Sequence, residues 1–290
     1  MDRRSFIKTG SVASVAMGLT GGIAEGTEDK PGPSKAKGVK NGRIRQSVCR
    51  WCYRGISLDE LAAFSAKIGI KGIDLIPPKD WPILKKHGLE CSMTPSHGIR
   101  KGLNRIENHE ECLAKIRKSI DDTSEAGFPN VICFSGNRQG MDDAEGLKNC
   151  AVALKQVVGY AEQKDVTLCM ELLNSKRNHK DYMCDRTHWG VELAKQVGSD
   201  NFKLLYDIYH MQVQEGDVIA TIKESYQYIG HYHTAGVPGR NEIGNTQELY
   251  YPAIMKAILK TGFTGYVGQE FIPKKDEFES LAEAVSICDV

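Results

Sequence analysis

No stretch of this 290-residue chain stays apolar long enough to cross a membrane as an ordinary helix. Neither charge is in surplus: 38 Lys and Arg stand against 37 Asp and Glu, a formal net charge of +1 at pH 7. Binding a phosphate backbone needs a basic excess, so nucleic acid is not expected as a partner. Cysteine is plentiful, but a pairing pattern is missing. Cys49, Cys52, Cys91, Cys112, Cys133, Cys150, Cys169, Cys184 and Cys288 are odd in number and scattered through apolar context, which is not a disulfide framework. They suit folding in a reducing compartment. Cys49-Arg50-Trp51-Cys52 has CxxC spacing, but no second pair completes a zinc site, and its place at the end of an expected strand reads as structural rather than redox-active. The Gly-rich phosphate turn of a doubly wound sheet is also missing: Trp51-Cys52-Tyr53-Arg54-Gly55 follows the first expected strand instead. What is left is an ordinary globular balance, 26% charged and 41% hydrophobic.

The N-terminus departs from that balance. Arg3-Arg4-Ser5-Phe6-Ile7-Lys8 precedes a mildly apolar stretch from Gly10 to Leu19, rich in Ser, Ala and Gly. This order of residues resembles a twin-arginine export signal, expected over residues 1–26, and implies a periplasmic destination. Twin-arginine export carries folded proteins, so buried thiols and export do not conflict. Residues 27–43 hold Gly, Pro, Lys and Glu without apolar periodicity and read as a linker.

From 44 to 290 the pattern alternates between strand and helix. Strands are expected at Arg45–Cys52, Gly72–Ile76, Leu89–Thr94, Asn130–Phe134, Val166–Leu172, Phe202–Tyr209, His231–Ala235 and Gly265–Phe271. A helix follows each, from Leu58–Ile68 with a Ser57/Glu60 capping box to Asp276–Ile287. The longest is expected over Asp142–Lys164. Eight such units in roughly 245 residues predict an α/β fold, a single-domain (β/α)8 TIM barrel.

In such a barrel the chemistry lies at the C-terminal ends of the strands. Four consecutive strands, the fifth to the eighth, end in Glu171, Asp207, His233 and Glu270, expected at one height. Carboxylates in apolar strands are costly to bury without a partner, and three at one mouth repel each other. A single divalent cation resolves this. Three hard oxygens and an imidazole suit Mn²⁺ or Mg²⁺ first, with Zn²⁺ or Co²⁺ as alternatives. His231 is expected to alternate with His233 and point away from the axis, as a packing or surface histidine. Asp74, inside an apolar run, has no assignable partner. His97, after the third strand, is placed to touch a substrate. Trp51 and Tyr53 would wall the pocket or fill the core.

This strand-end set, with Glu171-Leu172-Leu173-Asn174, Asp207-Ile208-Tyr209-His210 and the loop Val237-Pro238-Gly239-Arg240-Asn241-Glu242-Ile243-Gly244, resembles the xylose isomerase-like barrels. More narrowly, it is similar to the branch of hydroxypyruvate isomerases and ketose 3-epimerases. The resemblance runs from about residue 45 to the end. It implies that Glu171 and Glu270 bind the metal and also shuttle a proton, and that Asp207 and His233 bind metal only. It further implies that His210 and Arg240 contact substrate oxygens, with Asn174 beside them. Hydroxypyruvate isomerases usually carry glutamine at the position of His233, and 3-epimerases carry histidine, so loop and ligand point to different substrates.

The implied reaction is proton transfer through an enediolate on a small hydroxy-carbonyl compound or sugar. Return of the proton to the neighbouring carbon isomerises, as in hydroxypyruvate to tartronate semialdehyde; return to the other face of the same carbon epimerises. An endonuclease IV-like metal hydrolase and a non-catalytic exported sugar-binding barrel are the remaining readings. The oligomeric state is open, with a homo-oligomer compatible.

Overall fold

Eight parallel strands alternate with helices in the computed structural model, which describes residues 38–290. The strands are β1 (Arg45–Cys49), β2 (Gly72–Asp74), β3 (Glu90–Cys91), β4 (Asn130–Cys133), β5 (Thr167–Leu172), β6 (Phe202–Asp207), β7 (Ile229–Thr234) and β8 (Tyr266–Gln269). The helices are α1 (Leu58–Lys67), α2 (Trp81–Lys86), α3 (His109–Ala126), α4 (Asp143–Lys155), α5 (Val158–Gln163), α6 (Thr187–Val197), α7 (Ile208–Gln214), α8 (Val218–Ser225), α9 (Tyr251–Lys260) and α10 (Glu277–Cys288). The expected signal segment and residues 27–37 of the expected linker lie outside the described residues.

The strands order as β3-β2-β1-β8-β7-β6-β5-β4. Beyond the end of β3, Thr94 closes the ring: its N–H donates to Asn130 O at 2.8 Å and its carbonyl accepts from Ile132 N at 3.0 Å. This is the expected (β/α)8 barrel. Helices cover the outer face, so the strands are buried on both sides and read as near-continuous apolar runs. Leu61, Leu84, Ile116, Leu154, Leu193, Ile222, Ile258 and Val285, one from each of eight helices, are all fully buried.

Local signals explain the element ends. Ser57 Oγ accepts from Glu60 N and Glu60 Oε2 accepts from Ser57 N, the expected capping box of α1. Gly127 and Gly198 end α3 and α6 in the left-handed conformation, at φ 75° and 72°. Three expectations need correction. The first strand, expected to run to Cys52, ends at Cys49, and Arg50–Tyr53 turn as a 3-10 helix. The helix expected over Asp142–Lys164 breaks at Gln156–Val157 into α4 and α5, which leaves the 18-residue α3 as the longest among the described residues. The sixth strand stops at Asp207, two residues early, because the Asp207 carboxylate accepts from His210 N and starts α7.

Residues 40–42, at the end of the expected linker, are fastened to the barrel. The Asp289 carboxylate accepts the backbone N–H groups of Lys40, Asn41 and Gly42.

Candidate active site

Strand register carries the four predicted ligands to one place. Glu171 lies opposite Leu205, two residues before Asp207; Asp207 lies opposite His233; and His233 lies opposite Gly268, two residues before Glu270. Steps of zero or two residues keep the same strand face inward, and the two-residue steps follow the stagger of tilted strands in a closed barrel. One ligand atom from each of Glu171, Asp207, His233 and Glu270 lies within 4.8 Å of the other three, and all four residues are buried.

The carboxylates are not alike. Burial pushes the Glu171 carboxyl up, and the nearby Glu270 charge adds to this against the pull of His233. Burial also pushes Asp207 well up, with Arg240 opposing. Burial would raise Glu270 too, but His233 and Arg240 outweigh it and hold that carboxyl well below the usual range. Glu270 Oε1 accepts from Trp51 Nε1 at 2.7 Å and Oε2 from Arg240 Nη2 at 2.6 Å. Glu171 has looser surroundings, with His233 Nδ1 at 3.6 Å from its Oε1.

Arg240 comes from the loop after β7 and has φ 60°. Its guanidinium bridges Glu270 and Asp207, the latter at 3.2 Å, and packs over the rings of Trp51 and Tyr209. The predicted substrate contact is thus at the cluster itself. So is His210, fully buried on α7. Its Nδ1 accepts from Asn174 N at 3.1 Å, which places the proton of the neutral ring on Nε2. That Nε2 has no hydrogen-bond partner among the described residues and lies 3.6 Å from Asp207 Oδ2. Burial, then the Arg240 charge, holds the ring neutral. His210 therefore presents an unused N–H donor beside the four ligands.

Asn174 and His97 stand differently from their expected roles. Asn174 Oδ1 accepts from Arg177 N and Asn178 N, and its amide nitrogen faces Asn178 Oδ1 and the His210 ring. Its polar atoms are spent on shaping the β5 loop and holding His210. His97 accepts from Phe134 N at 3.3 Å and packs edge-on against Phe134. Burial lowers it to about 4, so the ring is neutral. Its contacts run to the β4 end rather than to the four ligands.

The expectation for His231 is overturned. Residues two apart on a strand share a face, so His231 and His233 both point inward while Tyr232 points out. His231 is fully buried, and its Nε2 lies 2.8 Å from Asp74 Oδ2. Asp74, left without a partner by sequence reasoning, also meets His233 Nε2 at 2.9 Å and accepts from Ser92 Oγ. Trp51, expected to wall the pocket or fill the core, donates to Glu270. The His-x-His spacing on an apolar strand, with a lone Asp on another, was the signal that could have found the first group. The nine cysteines are free and buried, in keeping with a structural role for Cys49 and Cys52.

The residues present fit a divalent metal. Three buried carboxylates converge without enough donors to neutralise them, and an imidazole nitrogen faces the same space. Glu171, Asp207, His233 and Glu270 would hold it.

The chain belongs to the xylose isomerase-like TIM barrel family, whose model matches residues 62–287. A putative hydroxypyruvate isomerase of Homo sapiens is 30% identical over 191 residues, 62% of this chain and 68% of that protein. Hydroxypyruvate isomerase of Escherichia coli (strain K12) is 27% identical over 234 residues, 74% of this chain and 89% of that protein. The 2-oxo-tetronate isomerase of Cupriavidus necator is 36% identical, but over only 44% of this chain and 47% of its own length. Among solved structures, an AP endonuclease, family 2, from Brucella melitensis superposes with TM-score 0.74 at 21% identity, covering 83% of this chain and 98% of that one. A D-psicose 3-epimerase from Clostridium cellulolyticum H10 with D-tagatose gives 0.71 at 17% identity, covering 85% and 97%. At such identities the structural likeness speaks for the fold alone. The sequence relatives place the chain among the isomerases and epimerases of the family.

Proposed function

We propose that this protein is a metal-dependent isomerase that moves a proton on a small hydroxy-carbonyl compound, with hydroxypyruvate as its first candidate substrate. One observation carries the proposal: the buried convergence of Glu171, Asp207, His233 and Glu270 from the ends of β5 to β8. The ion, Mn²⁺ or Mg²⁺ by the oxygen-rich donor set, would supply Lewis-acid stabilisation of negative charge on substrate oxygens.

The chain's own residues divide the remaining work. Glu171 is loosely held, and burial raises its proton affinity toward the range useful for taking and returning a proton at carbon. Glu270 is oriented by Trp51 and Arg240 and is its partner in the transfer. His210 offers its Nε2 proton to a substrate oxygen, and Arg240 brings a fixed positive charge to the same side. Trp51, Tyr209 and the Arg240 stem shield these groups from bulk water.

Ketose 3-epimerisation is the second reading, favoured by histidine rather than glutamine at position 233 and by the 31% identity to a D-psicose 3-epimerase of Ruminiclostridium cellulolyticum over 122 residues. Export by a twin-arginine route belongs to the same proposal, on the strength of Arg3-Arg4-Ser5-Phe6-Ile7-Lys8.

The deciding experiment incubates the Mn²⁺-loaded protein in D₂O with hydroxypyruvate and, separately, with ketoses, and follows deuterium entering the position α to the carbonyl. Exchange is expected in the wild type and lost in both Glu171→Gln and Glu270→Gln. A wild type that holds no divalent ion and gains no exchange when one is added would sink the proposal. Near-normal exchange in either variant removes that residue from the proton transfer.

A further inference from the structure

Asp74 is a carboxylate with no exposure, held on β2 in the barrel interior, far along the ring from β7. An isolated charge there costs several kcal/mol, on the order that makes such groups rare unless donors surround them. The donors are present. Ser92 Oγ donates to Oδ1, and His231 Nε2 and His233 Nε2 lie 2.8 and 2.9 Å from Oδ2. The space is kept open by the absence of a side chain at Gly268 on β8. A Cβ there would stand 2.7 Å from Asp74 Oδ2 and 2.9 Å from His233 Cδ2. The Asp74–His233 contact is therefore built into the packing of three strands.

We propose that Asp74 is the positioning residue for the metal ligand His233: it holds the ring through an N–H at Nε2 and turns Nδ1 toward Glu171 and Glu270. The inference rests on the four-residue metal site proposed above. An ionised carboxylate only accepts hydrogen bonds, so the nitrogen facing Asp74 carries the hydrogen. Nδ1 is then the ring nitrogen turned toward the other ligands. It lies 3.0 Å from Glu270 Oε2 and 3.6 Å from Glu171 Oε1, yet makes no hydrogen bond among the described residues. A ring nitrogen that faces two carboxylates without bonding either is placed to share a cation with them. A carboxylate behind a ligating imidazole also raises its basicity and fixes its orientation. His231 takes a supporting part, since its Nε2 meets the same Asp74 oxygen and braces it.

The same atoms could be imagined as ligands of a second ion, because Asp74, His231 and His233 also converge within 4.8 Å. The distances argue otherwise. Ligands about 2.0 Å from a tetrahedral ion stand roughly 3.3 Å apart, whereas the Asp74–histidine separations of 2.8 and 2.9 Å are those of direct hydrogen bonds.

Two measurements on the full chain test this. Long-range ¹H–¹⁵N spectra of the Zn²⁺-bound, histidine-labelled wild type at neutral pH should show His233 with its proton on Nε2 and the ion on Nδ1. In that loaded protein, an ion on Nε2 or a proton on Nδ1 overturns the proposal without any variant having to fold. Mn²⁺ titration should give one ion per chain, bound roughly ten- to a hundredfold more weakly by Asp74→Asn than by the wild type. Equal affinity in a wild type and variant that both bind overturns this proposal alone. Two ions in the wild type and one in the variant would make Asp74 a ligand and also overturn it. A wild type that binds no Mn²⁺ overturns the metal site and this inference together.

Discussion

Arg240 donates to Glu270 across 2.6 Å, from a loop residue with φ 60° to the carboxylate just beyond β8. The same nitrogen reaches Asp207 at 3.2 Å, so one guanidinium offsets charge on two of the four proposed ligands. Arg240→Met should therefore slow α-proton exchange by about a hundredfold in kcat/KM, roughly 2.7 kcal/mol of transition-state stabilisation. Arg240→Lys should recover only part of the loss, because an ammonium lacks the planar fork and the stacking on Trp51. Comparing exchange rates in D₂O for the two variants checks this; equal rates in Arg240→Met and wild type would remove Arg240 from the site.

Metal affinity should depend on pH in a direction set by Glu171 and Asp207. Burial raises both carboxyls in the metal-free protein. A ligating carboxylate must be deprotonated, so a raised proton affinity means that protons compete with the ion from a higher pH downward. Affinity should weaken as pH falls through both raised values, starting above the ordinary carboxylate range of about 4. His233, where burial is outweighed by Cys49, Glu270 and Asp74 so that its proton affinity lies well above the ordinary range, extends the loss to higher pH. Mn²⁺ titrations over a pH series would show it. Constant affinity down to about pH 4 would contradict the raised values.

His210 should separate substrate handling from metal binding. Its Nδ1 is occupied by Asn174 and its Nε2 proton is unused. His210→Ala is expected to lower kcat/KM for exchange by about 10- to 100-fold, about 1.4–2.7 kcal/mol, with Mn²⁺ affinity within a factor of about three of wild type. Asn174→Ala keeps the backbone N–H that holds Nδ1, so its effect should be the smaller of the two. Metal titration alongside the exchange assay checks both; a parallel loss of metal binding in His210→Ala would assign His210 to the ligand sphere.

The alternation of strands and helices was legible because each strand is buried on both faces and each helix on one stripe. The same logic put Glu171, Asp207, His233 and Glu270 at strand ends, and register then joined them. Two kinds of information were hidden. The first is local competition. Ile208 and Tyr209 continue an apolar strand pattern, yet the Asp207 carboxylate diverts the chain into α7 by taking the His210 N–H. Val157 similarly departs from helical geometry, at φ −127°, while the nearby Gly159 lies inside α5 rather than at the break. The second is long-range pairing. Asp74 and His231 are 157 residues apart, and no spacing rule links positions so distant. The shared inward face of His231 and His233 was available from the period of two alone.

Gly268→Ala tests the crowding around that pair. The new methyl group would meet Asp74 Oδ2, His233 Cδ2 and Ser47 Oγ at 2.7, 2.9 and 3.0 Å. None is the free end of an exposed chain, so the barrel must shift or Asp74 and His233 must separate. A stability loss of about 1–3 kcal/mol is expected in denaturant unfolding, as for other overpacked cores. Weaker metal binding should accompany it. Wild-type stability in this variant would show that the interior yields more freely than these contacts imply.

Asp289 should govern how the N-terminal end of the described chain is held, independently of the site. Its carboxylate accepts from Lys40, Asn41 and Gly42 N–H. Partial burial would raise its proton affinity, but these three backbone donors win and hold the carboxyl below the usual range. A folded-state value below the unfolded one stabilises above the unfolded value, about 3.9, and the gain is lost as pH falls through the folded value. Asp289→Ala should therefore cost about 0.5–1.5 kcal/mol near neutral pH, since these exposed donors can turn to water instead. The difference between variant and wild type should shrink in strong acid. Denaturant unfolding at neutral pH and in a series toward acid would measure both, and a cost that grew as pH fell would reverse the sign argued here.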